Sequence, residues 1–84
     1  MTSSIPTELQ IAAVTLADES SVYAAAQKLE TSPETLHARM GELAALLEYV
    51  LFREEGDRVE VTHEGQVLID AFRLFLAERE KETE

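Results

Sequence analysis

A chain of 84 residues without cysteine makes one small domain, because either half alone is too short for a stable core and no disulfide can staple it. Its 45% hydrophobic and 29% charged residues exclude a disordered tail, and its seventeen acids against seven bases, a net charge of −10, oppose long-range attraction to polyphosphate and anionic lipid. No apolar run approaches the roughly 20 residues of a bilayer span, and Met1 to Thr7 lacks the basic start and apolar stretch of a signal peptide, so a cytoplasmic chain without membrane contact is expected. A domain this small buries only roughly 60 to 65% of its unfolded surface, which leaves room for a partner subunit.

Residues 1–6 read as a flexible lead-in. Thr7 and Gln10 have the spacing of a capping box, and Leu9, Ala13, Leu16 and Ala17 share a helical face, which predicts a first helix over Thr7 to Asp18. Ser20 and Ser21 offer caps for a short alanine-rich helix, Val22 to Leu29. Ser32 caps a third helix, with Pro33 at the first position, where its missing N–H costs nothing; it runs to about Leu47. Leu36, Met40, Leu43 and Leu47 form its inner face, which leaves Thr35, His37, Ala38, Arg39 and Glu42 for others.

From Tyr49 the pattern changes. Tyr49 to Phe52 is β-branched and aromatic, Glu55-Gly56-Asp57-Arg58 is a turn, and Val59-Glu60-Val61 alternates, so a two-stranded hairpin is predicted. Thr62 caps a final helix over residues 63–82, in which Gly65 is a modest penalty. Val67, Leu68, Ala71, Phe72, Phe75 and Leu76 cover more of that helix than one packing stripe needs, and the surplus is assigned to a dimer interface.

Two short helices, a longer capped one, a hairpin and a closing helix form the order of a mainly α, winged helix-turn-helix domain spanning residues 1–84. Ser20-Ser21-Val22-Tyr23-Ala24-Ala25-Ala26-Gln27-Lys28-Leu29 resembles the G-S-F-T-x-A-A-x-x-L segment of the LysR-type transcriptional regulators. Thr31 to Leu43 resembles, without a gap, their V-S-Q-P-A-L-S-R-x-I-R-x-L recognition helix, and Leu51 to Gly65 their L-F-E-R-T-G-R-R-V-R-L-T-E-A-G wing. The molybdate-responsive regulators carry a similar winged domain. The resemblance covers about residues 9 to 75.

It implies a homodimer paired through the last helix that lays helix three in the major groove of double-stranded DNA and touches backbone with the wing. Carried onto this sequence, Ser32, Pro33, Thr35, His37 and Arg39 would meet the major groove, Arg53 and Arg58 the backbone, and Ser21 a phosphate at the start of helix two. The family carries an effector-sensing domain after the last helix; this sequence stops at Glu84, so a minimal regulator without a sensor is expected.

The same positions also depart from the family. His37 stands where it has serine, Ala38 where it has a basic residue, and Glu54 and Asp57 where it has arginines. Two wing arginines stand among Glu54, Glu55, Asp57, Glu60 and Glu64, and their plainer role is to neutralise those carboxylates. A salt-rich cell interior is a further source of such acidity. Two readings therefore stand: a DNA-binding regulator, and an acidic interaction module that has lost DNA and binds a protein partner. Catalytic residues, cofactors and metal sites are not expected: His37 and His63 lie on different elements, Ser20, Ser21 and Ser32 serve as caps, and neither a phosphate loop nor metal-ligand spacing occurs.

Overall fold

The computed structural model describes residues 5–82; residues 1–4 of the lead-in lie outside them. The elements run α1 (Thr7–Glu19), α2 (Val22–Lys28), α3 (Pro33–Leu47), β1 (Phe52–Glu55), β2 (Arg58–Val61) and α4 (His63–Glu82).

The first helix begins on backbone alone. Its cap is Pro6, whose carbonyl accepts from the Leu9 and Gln10 N–H groups at 3.1 and 3.2 Å. The capping box expected of Thr7 and Gln10 is not made, because Thr7 already lies inside the helix and the Gln10 side chain donates to the Ile5 carbonyl at 3.1 Å. Leu9, Ala12, Ala13 and Leu16 line the buried face at helical spacing. The other two caps match expectation: Ser21 and Ser32 hydroxyls accept from the Ala24 and Thr35 N–H groups, each at 3.1 Å. Ser20, Glu30 and Glu48 take left-handed backbone, at φ 58°, 58° and 61°, and turn the chain after α1, α2 and α3.

The turn and second strand of the hairpin lie where expected, and the first strand lies later in the chain than β-propensity suggests. Gly56, at φ 60°, and Asp57 form a two-residue turn, so Glu55 pairs with Arg58 and the register runs back to Phe52 opposite Val61. Tyr49 to Leu51 consequently stay outside the sheet. The Leu51 side chain enters the core while its carbonyl accepts from the Thr62 N–H at 2.9 Å, and the Val50 carbonyl accepts from the Thr62 hydroxyl at 2.8 Å. Thr62 also caps α4, accepting from the Gly65 N–H at 3.0 Å. Gly65 is there for space rather than as a helix defect. A Cβ on it would sit 2.3 Å from the Leu51 carbonyl oxygen and 3.0 Å from the Thr62 hydroxyl.

Two clusters make the core. Ala12, Leu16, Val22, Ala25, Ala26, Leu36 and Val59 hold α1, α2, α3 and the wing together; Leu9, Ala13, Leu43, Leu51, Ile69 and Phe72 hold α4 against α1 and α3. Met40 and Phe52 pack against both. Burying each large apolar side chain contributes about 1.5–3 kcal/mol. Arg73 of α4 adds a 2.9 Å ion pair to Asp18 at the end of α1, an exposed contact of about 0–1 kcal/mol.

Candidate nucleic-acid interface

The register of α3 follows from its cap and its apolar spacing. Leu36 is fully buried and Met40 packs inward, whereas Pro33, Glu34, His37 and Ala38 are exposed and Thr35 and Arg39 are half-buried. Each step of one residue turns a side chain by about 100°, so this face is set once Leu36 is placed. Ser32 is not a free hydroxyl: besides capping the helix it donates to the Thr35 hydroxyl at 3.0 Å.

Two contacts join the helices to the wing. His37 Nδ1 of α3 lies 3.4 Å from Glu54 Oε2 of β1. At the wing tip, the Asp57 carboxylate accepts from the Ser21 hydroxyl and, at 2.9 Å, from the Tyr23 N–H. The Asp57 carbonyl accepts from the Val22 N–H at 3.0 Å, and the Ser20 carbonyl from the Val59 N–H at 3.2 Å. The Ser21 hydrogen bond first, and then that of the Tyr23 N–H, hold the Asp57 carboxyl below its ordinary value. Ser21, expected to meet a phosphate, thus has its hydroxyl engaged by an acid of its own chain.

Arg53 and Arg58 are exposed and stand directly across the hairpin from Glu60 and Glu55, yet neither forms an ion pair with a described residue, and nor does Arg39. Lys28 and Arg73, in contrast, pair with Glu19 and Asp18. Tyr23 was not singled out by sequence; it is exposed beside Asp57, and its hydroxyl accepts from the Gln27 side chain at 3.3 Å. Among the described residues, no group of three or more His, Cys, Asp or Glu could hold a metal ion, and no helix is long and apolar enough to cross a membrane.

On α4 the apolar residues divide between two faces. Phe72, expected on the dimer face, is only 1% exposed and packs with Ile69 on Leu9, Ala13 and Leu43, and Leu68 leans on the same cluster. The reason is periodicity: residues 65, 69 and 72 share the side that meets α1. Val67 and Phe75 lie on the outward side with half-buried Ala71, joined by Leu74 at 66% exposed, which is not among the six residues assigned to the dimer interface; Leu76 is half-buried.

Helix, turn, exposed third helix and two-stranded wing, clasped at the tip and flanked by a long closing helix, constitute a winged helix-turn-helix domain. The sequence matches the profile of the bacterial regulatory helix-turn-helix proteins of the lysR family over residues 9–66, and the chain belongs to that family. A comparison with curated proteins returned no match. Among solved structures, the chain is similar to a CbnR DBD–DNA complex at 25% identity and TM-score 0.84, over 94% of this chain and 93% of that one. It is likewise similar to a BenM DBD in complex with benA site 1 DNA, at 20% identity and TM-score 0.89, over 94% and 89%. An OxyR variant of Corynebacterium glutamicum is 23% identical with TM-score 0.89; 99% of this chain covers 26% of that one.

Proposed function

We propose that this domain binds double-stranded DNA as a transcriptional regulator, with the exposed face of α3 in the major groove and the wing on the backbone. The observation that carries the reading is the placement of three arginines that hold no ion pair among the described residues. In a chain with ten more acids than bases, Arg39, Arg53 and Arg58 hold no ion pair with a described residue, and all three sit on α3 or the wing. Arg39 is assigned base or phosphate contact, Arg53 and Arg58 the phosphates; Pro33, Thr35 and His37 supply the neutral surface between them. Ser32 and Ser21 take part through the helix ends they cap rather than through free hydroxyls. The similarity to a CbnR DBD–DNA complex, 25% identical over 94% of this chain, supports DNA as the ligand.

The protein acts as a homodimer in this reading. Val67, Leu74 and Phe75 leave an apolar stripe on α4 that a second α4 would cover, with Leu68 at its border; Leu76 follows Ile69 and Phe72 on the inward side. Selection from a random duplex library at low salt tests the proposal. An enriched sequence whose binding is lost in Arg39→Ala supports it, and absence of enrichment at every salt concentration refutes it.

A further inference from the structure

Between α3 and the segment leading into the wing runs a groove of about 210 Å³. Met40, Gly41, Ala44 and Val50 make its walls apolar, and His37 and Glu54 close one end. Its centre is open because position 41 has no side chain: a Cβ there would meet nothing within 4 Å. The volume is below the roughly 300 Å³ at which small-molecule sites begin, and suits one bulky side chain of another protein. Val50 is 68% exposed at its edge, beside exposed Tyr49, so apolar surface here is left uncovered by the domain's own core.

The groove lining includes the Glu54 carboxylate and no lysine or arginine. Beyond the lining, helical spacing puts Glu34 one turn before His37 on the same side of α3 and Glu48 one turn beyond Ala44, while Glu54 lies across the groove on β1; all three are exposed. None of Arg39, Arg53 or Arg58 lines it. His37 is the single non-acidic titratable group there, and it faces Glu54.

We propose that this groove docks an extended basic segment of another protein: one bulky apolar side chain enters over Gly41, and flanking lysines or arginines meet Glu34, Glu48 and Glu54. Charge complementarity selects the occupant, since an acidic or neutral segment gains nothing at the rim and a purely basic one leaves the apolar centre empty. The site needs no DNA to form; it shares His37, Glu34 and Glu54 with the face assigned to DNA above, so the basic segment and a duplex exclude one another there.

The test uses the full chain, labelled for NMR, and three synthetic nonapeptides: lysines and arginines around one central leucine, the same with glycine at the centre, and the leucine peptide with glutamines for its basic residues. The leucine-centred basic peptide is expected to move the amide signals of Gly41, Ala44 and Val50 saturably, and the other two to bind at least about ten-fold more weakly, as loss of one buried leucine implies. Gly41→Met fills the groove with a better helix former, so it should fold as well as the parent and lose binding by a similar factor. Glu54→Gln should weaken binding and its salt dependence. Equal binding of the glycine-centred peptide, undiminished binding to Gly41→Met, or amide shifts at the groove produced by a duplex but not by the peptide would each overturn the proposal.

Discussion

Asp57 and Ser21, 36 residues apart in the chain, share a hydrogen bond that fastens the tip of the wing to the start of α2. An anion belongs at a helix start, where free N–H groups point outward, and here the chain supplies it itself. Where the wing pattern that this sequence resembles has arginine, this chain has Asp57 and closes an internal clasp.

The clasp makes stability depend on acid pH in a defined direction. Asp57 is held below its ordinary value of 3.8 by Ser21 and Tyr23, so its contribution is complete above that value and is lost as pH falls through the lower folded value. In urea unfolding followed by circular dichroism, Asp57→Asn is expected to lower the midpoint near neutral pH and to flatten the loss of stability on acidification. An unchanged acid profile in Asp57→Asn contradicts the clasp.

The two phenylalanines of α4 are expected to behave oppositely. Phe72→Ala removes a fully buried ring and should cost about 3–5 kcal/mol, enough to leave a small domain largely unfolded. Phe75 is 52% exposed, so Phe75→Ser should keep the helical spectrum yet yield monomers by light scattering at tens of micromolar. A dimeric Phe75→Ser, with Val67→Ser and Leu74→Ser equally dimeric, refutes the assignment of the stripe.

Backbone positions offer a check on the fold. Gly65→Ala places a methyl 2.3 Å from the Leu51 carbonyl oxygen, so α4 must move and the protein should lose about 1–3 kcal/mol. Glu48→Gly relieves a left-handed residue at φ 61° and should gain about 0.5–1 kcal/mol. Both are read from denaturation midpoints.

Caps and spacing made much of this fold legible. Ser32 followed by Pro33, and the interval from Leu36 to Met40, place α3 and turn His37 and Ala38 outward, as the structure has them. Only the first strand of the hairpin departs from expectation, because Phe52-Arg53-Glu54-Glu55 carries little β-propensity and the turn at Gly56 overrides it by fixing which residues pair. The face of α4 was ambiguous for another reason: with Val67, Leu74 and Phe75 on one side and Leu68, Ile69 and Phe72 on the other, periodicity cannot say which side meets α1. The Asp57 clasp and the His37–Glu54 contact join residues distant in sequence, and no local pattern announces either.

Acids on the proposed DNA face should limit affinity. Glu34→Lys and Glu54→Lys together are expected to strengthen duplex binding roughly ten-fold or more at low salt, measured by fluorescence anisotropy, because each exchanges a repelled carboxylate for a cation that releases a counterion. No gain would mean that these positions do not meet DNA.

The central claim, that a strongly acidic domain reads DNA through a few arginines, is tested most directly by the salt dependence of its affinity for a selected duplex. With about three phosphate contacts per subunit, log affinity should fall against log salt with a slope of about −5 per dimer, and Arg58→Ala should make it shallower by about 2. Absence of saturable duplex binding at low salt, or a slope that Arg39→Ala, Arg53→Ala and Arg58→Ala all leave unchanged, would contradict it.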